Sequence, residues 1–120
     1  MASKVYRIER VEDKGGKVSA DAVLDPGSDI FKGHFPGQPI LPGVCSVQML
    51  GEIMSEVIGK EVFINEVSSC KYLKTVDPVQ EQELHLDIDY SFSDGKVTAA
   101  ASGSTAAGEP YLKIKFAAIC

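Results

Sequence analysis

The chain has few of the residues that would commit it to a metal site or a disulfide framework. It contains three cysteines and two histidines in 120 residues, and none of them stands at metal-ligand spacing. An odd number of cysteines without a CxxC motif argues against a disulfide framework and agrees with a reducing compartment. We therefore expect neither a structural metal nor a disulfide.

Basic residues and long apolar runs are also scarce. Twelve Lys and Arg against seventeen Asp and Glu give a net charge of −5, which counts against nucleic-acid binding because neutralising phosphates requires a basic face. No apolar run reaches the roughly 18–20 residues that cross a bilayer, and the N-terminus becomes charged too early for a signal peptide. The sequence predicts one cytoplasmic domain over residues 1–120, without a membrane span.

One helical pattern stands among several strand patterns. Apolar residues recur at helical spacing from Val44 to Ile58, and Gly59 is well placed to end that helix. Turn signals at 14–17 and 93–96 separate strand-like segments. These segments are 4–11, 18–24, 62–73, 84–90, 97–105 and 111–119. Their order predicts an α+β domain in which one helix packs on a curled antiparallel sheet.

The most distinctive segment is the loop 33–44, which reads GHFPGQPILPGV. Three prolines and three glycines in twelve residues indicate a stiff, close-turning loop, because Pro fixes φ and Gly tolerates positive φ. Pro42-Gly43 suits the first turn of a helix, whose unpaired N–H groups point outward. We therefore expect His34 to lie near a helix N-terminus, as a base beside an oxyanion-binding corner.

Residues 31–44 closely resemble the active-site loop of bacterial 3-hydroxyacyl-acyl-carrier-protein dehydratases, and residues 71–78 are similar to a later basic-aromatic strand of that family. The resemblance implies a hotdog fold, in which a long central helix is wrapped by an antiparallel sheet. It also implies dehydration of 3-hydroxyacyl thioesters of acyl carrier protein or coenzyme A, in fatty-acid or related acyl-chain biosynthesis. No metal or redox cofactor is implied. The expected assembly is a homodimer, a hexamer, or a heterodimer with a homologue.

The resemblance also assigns roles to individual residues. His34 matches the base, whose ordinary pKa suits proton transfer near neutral pH, and the backbone N–H of Gly43 matches the donor to the thioester carbonyl. Lys71 and Lys74 are candidates for contact with an acidic carrier protein or its phosphate, or they form a solvated strand edge. The other loop residues expected to contact substrate are Phe35, Pro36 and Val44.

Gln48 departs from the family pattern, which has Glu or Asp at this position, fourteen residues after the histidine. An amide cannot deliver a proton as a carboxyl group does, and a positioned acid contributes about 10²–10⁴-fold to rate. One interpretation is a slower dehydratase in which Gln48 holds a water or the hydroxyl. Another is that Glu52, one turn later, acts as the acid through water. A third is that the pocket binds acyl thioesters without dehydrating them, either as a thioesterase or as a non-catalytic subunit whose partner carries the acid.

Two further residues have less specific patterns. His85 alternates with apolar strand residues, so we expect it on the solvent face of its strand. Cys45 lies near the start of the helix, where the dipole could activate a thiol. No second base accompanies it, so the sequence favours a small buried residue.

Overall fold

The computed structural model describes residues 6–25, 43–78 and 81–120. Most of the distinctive loop, with His34, lies outside these ranges. The elements of the described chain are β1 Tyr6–Asp13, β2 Lys17–Leu24, α1 Gly43–Ile58, β3 Phe63–Tyr72, β4 Glu83–Ser93, β5 Lys96–Thr105 and β6 Pro110–Ile119. They confirm the predicted helix and, within a few residues, each predicted strand.

The six strands form one antiparallel sheet in the order β1-β2-β4-β5-β6-β3. The β4–β5 turn has Asp94 at φ 52° and Gly95 at φ 73°, which is the left-handed pair that a two-residue hairpin of type I′ requires. The β1–β2 turn likewise has Gly15 and Gly16 at positive φ. Both turns were predicted from the sequence, and the α+β class is confirmed.

The inner face of the sheet wraps the helix and forms the core. Alternation along β2 buries Val18, Ala20, Ala22 and Leu24, as its sequence predicts. The helix contributes an apolar stripe at helical spacing that has no exposed surface, namely Met49, Leu50, Ile53 and Met54. A sheet that covers one side of α1 in this way leaves the opposite side of the helix to solvent.

A buried tyrosine fixes the start of the helix against the sheet. Tyr111 on β6 is 2% exposed, and its hydroxyl lies 3.3 Å from Ser46 Oγ in the first turn of α1. The Tyr111 ring packs on Gly103 of β5, where an added Cβ would lie 2.6 Å from Cε1 of the ring. Glycine at 103 therefore makes the space in which Tyr111 reaches the helix.

The end of the helix is fixed by a serine. Ser55 Oγ donates to the Gly51 carbonyl at 2.8 Å and accepts from the Val62 N–H at 2.9 Å. Gly59 then ends the helix at φ 81°. Because the chain reverses here, β3 runs back toward the start of α1 and takes the outermost place in the sheet, beside β6.

Candidate functional site

The side of α1 that the sheet leaves open borders a groove of about 510 Å³. The first residues of β3 form its other wall. The lining residues are Val47, Gln48, Gly51, Glu52, Ser55, Glu61, Val62, Phe63 and Ile64. The Ser55 hydrogen bonds join the two walls and so fix their spacing.

Gln48 lies in the second turn of α1 and is exposed to this groove. Its amide makes no hydrogen bond with any residue that the structure describes, so both its donor and its acceptor are available to a ligand. The position that carries an acid in the resembling family is thus on the open side of the helix here. The side chain there can orient a hydroxyl or water but cannot act as an acid.

Glu52, one turn after Gln48, is the alternative acid and is half-buried in the same groove. It lies near the phenol of Tyr6 on β1, which is 4% exposed and whose hydroxyl has no hydrogen-bond partner within the described chain. Burial, and then the neighbouring Glu52 carboxylate, raise the pKa of Tyr6 far above its ordinary value. A carboxylate is therefore present within one helical turn of Gln48, beside a phenol that stays protonated.

The start of α1 provides the second component of the site. The helix begins at Gly43, so the N–H groups of its first turn have no intrahelical acceptor. The first turn contains no acidic residue that would offset the positive end of the helix dipole. Gly43 and Gln48 are separated by about 7.5 Å along the helix axis, at 1.5 Å per residue. This separation is short enough for one small molecule to place a thioester carbonyl at the helix start and a hydroxyl at Gln48.

Some predicted site residues fall outside this geometry. His34, Phe35 and Pro36 lie outside the described ranges, and Val44 is described only as part of the first turn of α1. The assignments of these residues as base and substrate contacts stay predictions.

The structure separates the two candidate lysines. Lys74 Nζ lies 2.8 Å from Glu81 and 3.5 Å from Glu109, and the Glu81 hydrogen bond raises the pKa of Lys74. Lys71 is exposed on β3 opposite Lys113, and no carboxylate of the described residues pairs with it. The sequence did not indicate this difference, because neither the contact with Glu81, seven residues along the chain, nor the contact with Glu109, just before β6, follows from a periodic pattern. Within the described chain, Lys71 has a free charge and Lys74 does not.

Cys45 and His85 have the positions expected of them. Cys45 is buried, and burial raises the pKa of its thiol, so the group stays protonated and unreactive. His85 is partly exposed on the outer face, where Nδ1 lies 2.8 Å from Asp21 and Nε2 lies 3.0 Å from Asp87. The hydrogen bond to Asp21 raises the pKa of His85 most. Sequence reasoning missed this pairing because it depends on the β2–β4 register.

Comparisons with known proteins show the family to which the chain belongs. The ApeI-like family, described as ApeI dehydratase, matches residues 9–108. The chain belongs to this dehydratase family. It is 30% identical over 111 residues to the 3-hydroxyacyl-[acyl-carrier-protein] dehydratase FabZ of Ligilactobacillus salivarius, covering 82% of this chain and 79% of that protein.

Solved structures share the fold of the family. The dehydratase heterocomplex ApeI:P from Xenorhabdus doucetiae aligns with a TM-score of 0.74 at 20% identity, covering 95% of this chain and 97% of that chain. A hypothetical thioesterase with coenzyme A from Streptococcus pneumoniae aligns with a TM-score of 0.63 at 14% identity, covering 95% and 84%. The chain therefore has the hotdog fold that its loop sequence implied.

Across residues 6–25, 43–78 and 81–120, no helix is long and apolar enough to cross a membrane. No group of three or more His, Cys, Asp and Glu side chains in those ranges is placed to hold a metal ion.

Proposed function

We propose that the protein removes water from 3-hydroxyacyl thioesters in fatty-acid or related acyl-chain biosynthesis, in the cytoplasm and without a metal or redox cofactor. The observation that carries this proposal is the arrangement on α1, in a chain of a dehydratase family. The first-turn N–H groups at Gly43 have no intrahelical acceptor, and Gln48 faces the open groove. The neighbouring loop has the histidine that the chemistry needs.

In this mechanism His34 takes the α-proton of the substrate, and negative charge develops on the thioester oxygen. The Gly43 N–H binds that oxygen, and such a donor lowers the barrier by about 3 kcal/mol. The electron pair then forms the double bond as the β-hydroxyl leaves. Gln48 holds the hydroxyl by a hydrogen bond, and the proton that converts it to water returns from the His34 imidazolium. Phe35, Pro36 and Val44 line the acyl chain in this proposal.

Because Gln48 transfers no proton itself, we expect slower turnover than in a dehydratase with a carboxylic acid at this position. Replacing the amide by an acid would add a second proton donor, and general acid catalysis contributes about 10²–10⁴-fold. Glu52 is the other candidate donor, acting through a water in the same groove.

A second subunit completes the site in this proposal. The edge strand β3 exposes apolar side chains, among them Phe63 at 67% and Tyr72 at 53%, and Leu73 follows it. An unpaired edge with exposed apolar residues favours pairing with another chain. We infer that a copy of this chain, or a homologue, pairs with β3 and covers the groove.

The heterodimer has specific support. The structural neighbour from Xenorhabdus doucetiae is a dehydratase heterocomplex, and a homologous subunit with a carboxylate at the site would supply the proton donor that Gln48 lacks. In that case the isolated chain binds acyl thioesters and gains activity only with its partner.

Lys71 is the first contact for an acidic acyl carrier protein or for the phosphate of its prosthetic group. It is exposed and has no ion-pair partner among the described residues, whereas the Lys74 ammonium already binds Glu81 and Glu109. Reversing the charge of Lys71 should weaken carrier binding, and more so at low salt.

The test is turnover of a 3-hydroxyacyl carrier-protein thioester by the purified protein, with the products resolved by mass. His34→Ala and Gln48→Glu are assayed beside it. Formation of the dehydrated product by the natural protein, abolished in His34→Ala and faster in Gln48→Glu, supports the dehydratase. Release of free acid assigns a thioesterase instead. Binding without either product, in the natural protein and in Gln48→Glu, assigns a non-catalytic subunit.

A further inference from the structure

The outer face of the sheet carries acid and base in two parallel rows. In the first row the strand register places Asp87 on β4 beside Ser102 on β5, and Ser102 beside Lys113 on β6. In the second row the same three strands place Asp89, Ala100 and Lys115 side by side. Each row therefore has an acidic residue on β4, a small residue on β5 and a basic residue on β6.

These charges are available to a partner. The ammonium groups of Lys113 and Lys115, and the Asp89 carboxylate, make no ion pair within the described chain. Asp87 pairs with His85 through one oxygen, and its other oxygen has no partner among the described residues. With strands about 4.8 Å apart, each lysine stem begins about 10 Å from the aspartate of its own row.

The middle strand allows another surface to approach closely. Ala100 and Ser102 lie at the floor of a depression of about 400 Å³, which the aspartates and lysines flank. Thr98 and Ser104 continue the line of small outward side chains along β5. Along β5 from Thr98 to Ser104 no large side chain would hold a second sheet away; Lys96, the first residue of the strand, also faces outward and lies at the end of this line.

This arrangement is self-complementary. A two-fold axis that runs along β5, in the plane of contact, places β6 of one copy over β4 of a second copy at the same level along the strands. Lys113 of each copy then faces Asp87 of the other, and Lys115 faces Asp89, which gives four intermolecular ion pairs. We propose that the protein associates with a second copy of itself through this outer face of β4, β5 and β6.

The flanking strands fit the same arrangement. The axis that pairs β6 with β4 also places β3 over β2, where Lys71 would face Ser19 and Ser69 would face Lys17. No like charges are opposed in either row; beyond the rows, Lys96 at the start of β5 would face Lys96 of the second copy at the end of the contact. Aligned sheets cross at about −30°, so these outer strands diverge and the contact is concentrated on the three central strands.

This contact is separate from pairing at the β3 edge and does not depend on the proposed activity. It uses the outer face, whereas the groove and α1 are on the inner side of the sheet. We therefore expect the molecular mass of the basic assembly to double, whether that assembly is a monomer or an edge-paired dimer.

The test is sedimentation velocity of the full chain over a concentration series, without substrate. In the natural protein we expect doubling at about 50 mM salt and an association constant about tenfold weaker at about 500 mM. Lys113→Glu/Lys115→Glu should weaken the association about a hundredfold, because both rows become acidic throughout. Lys14→Glu/Lys60→Glu, the matched control with equal change of charge on exposed lysines away from this face, should leave it unchanged.

A mixing experiment tests the geometry itself. Asp87→Lys/Asp89→Lys has an all-basic face, so neither this variant nor Lys113→Glu/Lys115→Glu should self-associate through it. An equimolar mixture of the two should associate, because the basic face of one variant then meets the acidic face of the other. Circular dichroism of each variant establishes that it is folded.

Three outcomes overturn the proposal. The first is an unchanged mass in the natural protein at low salt, and the second is doubling that the lysine reversals leave intact. The third is a mixture of folded variants that fails to associate. If the lysine reversals instead weaken only the binding of acidic acyl carrier protein, this face is a carrier site and the self-association is refuted.

Discussion

Gly103→Ala is the substitution whose effect follows most directly from the packing. An added Cβ would lie 2.6 Å from Cε1, 2.8 Å from Cζ and 3.0 Å from the hydroxyl of Tyr111. These contacts are with a ring in the close-packed core, which cannot turn aside as a surface side chain could. The ring must move, and its hydrogen bond to Ser46 must lengthen or break.

The expected loss combines two terms. Overpacking a core costs about 1–3 kcal/mol, and the lost hydrogen bond between buried groups about 0.5–1.5 kcal/mol. We expect the free energy of unfolding to fall by about 2–4 kcal/mol, and the Tm by about 10 °C for a domain of this size. In an unobstructed strand the same change would stabilise the fold by about 0.5–1 kcal/mol, so the sign of the effect is itself diagnostic.

Urea and thermal unfolding at one protein concentration measure this effect. Gly103→Ala in a Tyr111→Leu background is the matched control, because leucine lacks the ring atoms that the new Cβ would meet. In that background the alanine should cost close to nothing, which gives a coupling energy of about 2 kcal/mol or more. Equal losses in both backgrounds, or no loss in the natural protein, would refute the steric argument.

Three more predictions follow from individual contacts. Gly51→Ala should raise the free energy of unfolding by about 0.5–1 kcal/mol in thermal melts, because among the described residues the new Cβ meets only Ile64 Cδ1 at 3.8 Å; a decrease would mean that another surface lies against this turn. The pKa of His85 is raised by its carboxylate contacts, so their contribution is complete below about pH 6.5 and is lost as pH rises through the raised pKa. His85→Gln should abolish this decline, which is below about 1 kcal/mol for so exposed a pair, and an unchanged pH profile would contradict it. Lys71→Ala should weaken carrier binding at low salt more than Lys74→Ala does, as measured by titration, and the reverse order would exclude Lys71 as the main contact.

Local features of the fold were predictable from local sequence. The apolar spacing from Val44 to Ile58 set the helix, and the alternation in β2 set its buried face. The turn predicted at 93–96 is also present, with Asp94 and Gly95 at positive φ. Each of these features depends on residues that are close together in the sequence, so composition and apolar periodicity were sufficient to predict it.

The pairings between distant strands were not predictable in this way. His85 lies between Asp21 and Asp87 because of the β2–β4 register. Lys74 meets Glu81 and Glu109 outside the strands, where the segments before β4 and β6 meet the end of β3. A shift of one residue in register moves every side chain to the opposite face, and the sequence alone does not indicate which register is adopted. The predicted roles of the loop around His34 came from family resemblance rather than from strand pattern, and they need the turnover experiment.

The two serine contacts of α1 have a consequence for how the family could vary its substrates. Ser46 holds the first turn to Tyr111, and Ser55 holds the last turns to the start of β3. Sliding the helix by one residue would move it about 1.5 Å and strain both attachments at once. The position of α1 along the groove is therefore fixed. Under the proposed function, changes of acyl-chain preference should then arise from side chains that face the groove, or from the proposed second subunit, rather than from displacement of α1.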